Sequence, residues 1–370
     1  MMSRFSLLAG SLLSLTAQAQ AQNGSYIQYS TVTGYFLQDE PSTNATTFDY
    51  TSTNFGLINR TYPSDPCGYG STNLTQWQRF TRQVYTLNLE SPSNIDYKVL
   101  FMGRHGEGYH NAAQTFYGTP AWNCYWAEVD GNGTAIWADA HLDPAGIAQA
   151  QTANAFWAHE LAVQMIPAPQ TYYTSPLYRC LQTANITFSG LDLPASQPFL
   201  PLIKHGLREG ISIHTCDRRS NRSVIHAAVP SWPFEPGFPE YDQLWNGVTA
   251  ETSSAQAVRS KKVLDDIFGA DPSTWISITS HSGEIGSILS VLGHQPFSLN
   301  TGAVIPVLVR AETVKEQPSP TTSSQPWTVS PHCTSPPLTS INNGACVCQG
   351  SAMPVTTTLP GSGPTYAARV

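Results

Sequence analysis

The sequence predicts an α/β protein, a three-layer α/β/α sandwich around a largely parallel central sheet. Three observations lead there. Short apolar runs rich in β-branched and aromatic residues alternate with stretches of helical period through the middle of the chain. Polar or glycine-flanked loops follow several of those runs and carry the residues best suited to chemistry. The 370 residues, 41% of them hydrophobic, suffice for one sizeable core.

Taken in order, residues 1–21 read as a secretory signal peptide. Arg4 precedes an apolar run through Leu7, Leu8, Leu12, Leu13 and Leu15, and the small-residue stretch Ala17 to Ala21 offers cleavage after Ala19 or Ala21. The run falls short of the ~20 apolar residues a bilayer span needs, so no membrane association is expected. From Gln22 to Asn88 the chain is rich in Tyr, Thr, Ser and Asn with little periodicity, and it is expected to wrap the core. Tyr97 to Met102 predicts a strand that enters the loop Gly103-Arg104-His105-Gly106. Asp143 as N-cap and Pro144 in the first turn open a helix through Ala155 toward Leu161.

Thr171 to Thr174 is the next strand, and Ser175-Pro176 leads into a helix carrying Arg179 and Gln182. Phe199 to Ile203 runs to the loop of Glu209; Ala255 to Phe268 predicts a helix, Trp275 to Thr279 a strand, Glu284 to Leu292 a helix, and Val304 to Val309 the last strand. The expected catalytic domain spans 22–312. Residues 313–370, rich in Pro, Ser and Thr, are expected to form a flexible tail, and they lack the hydrophobic segment of a lipid-anchor signal.

Only 12% of residues are charged, against about 25% in average soluble domains, which suits an extracellular surface. A net charge of −7 provides no basic field for nucleic acid or an anionic membrane. Asn-x-Ser/Thr sequons at Asn23, Asn44, Asn59, Asn73, Asn132, Asn185 and Asn221 agree with passage through the secretory pathway and predict N-linked glycans at some of them. Seven cysteines in such a chain predict disulfides with one thiol left over. Cys346-Val347-Cys348 is too tight for a usual zinc pair and no histidine follows it at finger spacing, so no structural metal is expected.

Phosphoryl transfer through a covalent intermediate needs a nucleophile, cations for the phosphate oxygens and an acid for the leaving oxygen. Arg104 and His105 stand together on a Gly-flanked turn where backbone can approach an anion closely, which makes His105 the candidate nucleophile and Arg104 a phosphate ligand. Arg179 falls in a first helical turn, where the positive end of the helix dipole favours anions. Thr279-Ser280-His281-Ser282-Gly283-Glu284 repeats the strand-to-helix arrangement, so His281, with Ser282 beside it, is expected to bind phosphoryl oxygens. Isolated histidines such as His110, His159, His214 and His226 receive no role, and Trp122, Trp126 and Trp137 are read as packing the insert from Pro120 to Asp139 against the core.

The order Arg-His-Gly-Glu at 104–107, Ser-Pro-x-x-Arg-x-x-Gln-Thr-Ala at 175–184, Leu-Arg-Glu at 207–209 and Ser-His-Ser-Gly at 280–283 resembles the histidine phosphatase (phosphoglycerate mutase-like) superfamily over Tyr97 to Arg310. It looks like a fungal-type secreted member of the mutase-like branch. The acid phosphatase and phytase branch opens with Arg-His-Gly-x-Arg-x-Pro and takes its acid from His-Asp, whereas Glu107 and Ser282 stand here. The resemblance implies that His105 is phosphorylated, that Arg104, Arg179 and His281 form the phosphate pocket, that Asn111 occupies the place of a pocket asparagine, and that Glu209 donates the proton. The leading expectation is a secreted phosphomonoester hydrolase that needs no metal or other cofactor and acts on a small-molecule phosphomonoester. The alternatives are an isomerase that moves phosphate between hydroxyls, and a non-catalytic secreted binding protein that keeps the fold.

Overall fold

The computed structural model describes residues 25–65, 73–315, 326–337, 339–340 and 346–348. The expected signal peptide, the Asn23 sequon and Cys67 lie outside the described residues. In chain order the elements that build the molecule are β1 (Ser25–Thr31), α1 (Gln76–Glu90), β2 (Ile95–Arg104), α2 (Tyr109–Tyr117), α3 (Thr119–Cys124), α4 (Pro144–His159), β3 (Thr171–Thr174), α5 (Tyr178–Phe188) and β4 (Leu202–Ile203). They continue with α6 (Arg222–Ala228), β5 (Thr249–Ala250), α7 (Ser253–Ala270), β6 (Trp275–Ser280), α8 (Ser282–Val291), β7 (Val304–Lys315), β8 (Thr328–Val329), β9 (Thr339–Ser340) and β10 (Cys346–Val347).

Six strands form the central sheet in the order β1-β7-β2-β6-β3-β4. The pairs β2 with β6, β6 with β3 and β3 with β4 are parallel; β7 runs antiparallel to both β2 and β1. Alternation along β2 shows why both faces are covered. Leu100 and Met102 pack with Ile276, Ile278, Ile305 and Val307 against Leu264, Ile267, Ile285 and Ile288 of α7 and α8. Val99 and Phe101 face the other way, onto Trp77, Phe80 and Val84 of α1, Trp157 of α4 and Phe188 of α5. The result is the expected three-layer sandwich.

Several elements differ from the expected bounds. The segment read as aperiodic contains α1, started by a capping box in which Thr75 Oγ1 accepts from the Gln78 amide and Gln78 Oε1 from the Thr75 amide. It also contains β1, which edges the sheet in register with β7 from Ser25 opposite Lys315 to Thr31 opposite Val309. Because β7 runs on to Lys315, the expected boundary at 312 falls inside a strand. The strand expected at Phe199 to Ile203 shrinks to two residues, and α8 starts two residues earlier than expected.

The described parts of the segment expected to be a flexible tail are docked, which corrects that expectation for them. β8 pairs with β5, Cys346 is bonded to Cys124, and Cys333 is bonded to Cys348 while its amide donates to the Cys124 carbonyl at 2.8 Å. Cys180 and Cys216 are free thiols, both buried. The Trp-rich insert packs as expected, with Trp122 and Trp137 buried among Tyr109, Tyr117 and Ala135, and Trp126 partly buried against them.

Candidate active site

Parallel strands release their following loops at one edge of a sheet, and here the chemistry-bearing residues follow β2, β6, β3 and β4. The seams are backbone hydrogen bonds. The His105 amide donates to the Ser280 carbonyl at 3.0 Å, the Ser175 amide to the Thr279 carbonyl at 3.0 Å, and the Gly302 amide to the His105 carbonyl at 3.0 Å. His105 and His281 therefore leave adjacent strands, and their rings lie 5.1 Å apart between centroids.

The loop that carries His105 is held from beneath by hydrogen bonds from neighbouring elements. The Gly106 amide donates to Thr183 Oγ1 at 3.0 Å, and that hydroxyl donates to the Arg179 carbonyl at 2.8 Å. Gln182 Oε1 accepts from the Leu142 amide at 2.8 Å, and Gln149 Oε1 from the Glu107 amide at 2.7 Å. A side chain at Gly106 would bring its Cβ to 2.4 Å from the Gly146 carbonyl oxygen, so the loop can seat on α4 only as glycine.

His105 is buried, and its Nδ1 lies 2.7 Å from the Gly106 carbonyl oxygen. A carbonyl can only accept, so Nδ1 carries the proton and Nε2 keeps its lone pair. Burial holds the imidazole well below its usual pKa, and the positive charges of Arg179 and Arg104 push the same way. His281 is likewise kept neutral by burial and then by Arg179; its Nε2 lies 2.8 Å from Ser175 Oγ and 3.3 Å from the Cys180 sulfur.

Two guanidiniums lie near His105. Arg179 is buried in the first turn of α5; its Nη1 donates to the Cys216 carbonyl at 2.7 Å and its Nη2 stands 3.7 Å from Asp217 Oδ1. Arg104 donates through Nη1 to the Leu299 carbonyl at 2.7 Å. Nε of each is buried without a hydrogen-bond partner. Both groups are thus oriented from one side by carbonyls while donors remain for an anion.

Glu209 follows β4 and meets the start of α8. Its Oε1 accepts from the Gly210 amide at 2.9 Å and the Glu284 amide at 3.1 Å, and its Oε2 from the Gly283 amide at 3.3 Å. Those amides favour the carboxylate, but burial and the neighbouring Asp217 outweigh them, and the carboxyl is held above its usual pKa. Gly283 is obligatory for this approach, since a Cβ there would lie 2.2 Å from Glu209 Oε1. Arg208 turns away from its neighbour and clamps Asp242 through Nη1 and Nη2 at 2.8 and 2.7 Å.

One expected site residue has another contact, and one unexpected residue lies beside His105. Asn111 Oδ1 accepts from the Gly108 amide at 3.0 Å, which commits that oxygen to capping α2. Ser282, half-buried, opens α8 directly after His281. His110 places its ring 5.3 Å from that of His105, with Nδ1 buried and without a partner. Sequence reasoning passed over it as an isolated histidine; its signal is that it lies five residues beyond His105, in the first turn of the following helix.

Three cations near the acid, Arg219, Arg218 and Lys204, have structural partners. Arg219 donates to the carbonyls of Ser220, Pro239, Glu240 and Tyr241, Arg218 pairs with Asp130 at 2.6 Å, and Lys204 pairs with Asp266 and Glu235. His214, Cys216 and Asp217 offer ligand atoms within 4.8 Å of one another, but an ion among them would face the Arg179 guanidinium, so they fit a metal poorly.

Residues 126–301 match the family description "Histidine phosphatase superfamily (branch 1)", a span that includes Arg179, Glu209 and His281 and begins after His105. The chain is 50% identical over 312 residues to a probable phosphoglycerate mutase of Arthroderma benhamiae, covering 84% of this chain and 92% of that one. It is 35% identical over 288 residues to phosphomutase-like protein 3 of Candida albicans, covering 77% and 81%. A probable phosphoglycerate mutase of Saccharomyces cerevisiae is 31% identical over 273 residues, covering 67% and 92%.

Proposed function

Because the chain belongs to the histidine phosphatase superfamily, in its mutase-like branch, we propose that it is a phosphomonoester hydrolase working through a phosphohistidine on His105. The observation that carries this reading is the tautomer of His105, whose Nδ1 is committed to the Gly106 carbonyl, leaving Nε2 as a neutral nucleophile beside Arg104, Arg179 and His281. Nε2 forms the N–P bond as the ester P–O bond breaks, and the leaving oxygen takes the proton of Glu209. In the second step water attacks phosphorus and gives a proton to the Glu209 carboxylate; the P–N bond breaks, and phosphate leaves. Arg104 and Arg179 hold the phosphoryl oxygens, with His281 as a neutral donor; Asn111 and Ser282 remain proposed substrate contacts.

The pH dependence follows from the signs. His105 must be neutral, and its lowered pKa keeps it so below its usual 6.5. Glu209 must be protonated, and its raised pKa keeps it so above its usual 4.5. We expect a bell-shaped kcat/KM profile on the acidic side of neutrality whose alkaline limb disappears in Glu209→Gln; a profile without limbs counts against the assignment.

The curated relatives carry mutase names, which favours a second reading in which phosphate moves between hydroxyls of one substrate. The two readings separate on a panel of phosphomonoesters that includes phosphoglycerates, with a chelator present. Free phosphate released by the wild type and reduced at least about 10³-fold in His105→Ala supports the hydrolase. Isomerised ester without free phosphate supports the mutase.

We also propose that the chain is exported and glycosylated. The exposed sequons at Asn44, Asn59, Asn73 and Asn185 and the two disulfides support this. Asn132 is the sequon expected to stay bare, because its amide donates to the Tyr117 hydroxyl at 2.7 Å. Glycosidase digestion followed by peptide mapping of the recovered protein checks the assignment.

A further inference from the structure

Behind Glu209 lies a charged network that the reaction scheme does not use. Arg259 of α7 donates through Nη1 to the carbonyls of Gly206 at 2.6 Å and Arg208 at 3.0 Å, and through Nη2 to that of Glu209 at 3.2 Å. Three of the four residues from Gly206 to Glu209 are thus tied to one guanidinium. The same group forms a two-point ion pair with Glu251, at 3.0 Å from Nε and 2.7 Å from Nη2, and meets Glu284 Oε2 at 3.0 Å.

Glu284 closes the circuit. Its buried carboxyl also accepts from Gln256 Nε2 at 3.0 Å and Ser260 Oγ at 2.9 Å, while its backbone amide donates to Glu209 Oε1. Burial pushes this carboxyl up to about 7 against the pull of Arg259, which marks how little water reaches it. One side chain therefore holds the backbone of Glu209 directly and its carboxyl through the first turn of α8. Two surfaces that come from different strands, the loop after β4 and the helix after β6, are thereby kept in register.

We propose that Arg259 is a positioning residue for proton donation: it sets the Glu209 carboxyl against the leaving oxygen without touching substrate. The proposal rests on Glu209 being the acid. It requires that loss of Arg259 harm the steps that need a proton and spare those that do not, because phosphate binding and His105 sit on β2, α5 and the His281 turn.

The test is hydrolysis of phosphate monoesters graded from p-nitrophenyl to unactivated alkyl, with thermal melting as a check on folding. A nitrophenolate departs without a proton, whereas an alkoxide requires one. Read as kcat/KM, which reports formation of the phosphohistidine and not its hydrolysis, Glu209→Gln should slow the alkyl ester about 10²-fold or more and the nitrophenyl ester little. Arg259→Met should show the same leaving-group pattern with about a 10-fold loss on the alkyl ester and little change in KM, and Arg259→Lys should recover part of it. An equal loss across the series in Arg259→Met overturns the inference and leaves the acid reading standing. A Glu209→Gln series without leaving-group dependence overturns the acid reading, and the inference falls with it. Glu251→Gln loosens the same guanidinium from the far side and answers the question if Arg259→Met does not fold: a smaller steepening supports the inference and a flat response contradicts it.

Discussion

Thr183 joins the two halves of the proposed phosphate site with a single hydroxyl, accepting from the Gly106 amide and donating to the Arg179 carbonyl. Thr183→Val keeps the shape and removes both bonds. We expect kcat to fall about 10-fold or more while stability falls by about 1–2 kcal/mol, measured by steady-state kinetics and denaturant titration. Gly283→Ala is sharper, because its Cβ would lie 2.2 Å from Glu209 Oε1; loss of activity toward alkyl esters with a folded protein is the expected result. At this scale the motifs told much of the story. His105, Arg104, Arg179 and His281 were legible because each lies at or just beyond the end of a strand and beside glycine or a helix start, and the structure brings them near one another. His110 was not legible, since an isolated histidine differs from a packed one only by its neighbours in space. Asn111 was legible as a residue but not as a helix cap, because capping depends on the turn that Gly108 adopts.

Elements differ in how openly the sequence declares them. The parallel strands and α7 stand out through apolar runs or helical period, whereas β1 buries only Tyr29 fully and could not be told from a polar loop. α1 carried readable signs, the Thr75 capping box and Trp77, Phe80 and Val84 along one face, but they lie in a stretch dominated by Tyr, Thr and Asn. The end of α4 widens into a π-turn over Glu160–Gln164, and the buried Glu160 has Oε2 without a partner. Burial pushes its carboxyl up to about 7. A raised acid favours the folded state while protonated, so this contribution is present below the unfolded value of 4.5 and is lost as pH rises toward 7. Glu160→Gln should therefore raise the melting temperature at pH 8 and change it little at pH 4, as differential scanning calorimetry would show.

The whole molecule is stitched by contacts far apart in sequence, which single-sequence patterns do not register. The Cys124–Cys346 bond spans 222 residues and ties the C-terminal segment to the Trp-rich insert, while β8 adds to β5. Disulfide connectivity was beyond the sequence because seven cysteines permit many pairings, and a Pro/Ser/Thr-rich composition gave no sign of docking. Replacing Cys124 and Cys346 with serine should lower stability by about 2–5 kcal/mol in denaturant titration. The insert in turn reaches the site through Asp139, whose carboxylate accepts from the Tyr178 amide at 2.9 Å and the Ser220 amide at 2.8 Å.

His105 is proposed to form a bond to phosphorus during turnover. The most direct measurement is a rapid alkaline quench of the enzyme during turnover of a ³²P-labelled aryl phosphate, followed by peptide mapping. Acid-labile, base-stable label on the peptide containing His105, absent from His105→Ala, is the result expected. Release of phosphate by wild type with no label on that peptide, or with label on another residue, would contradict it.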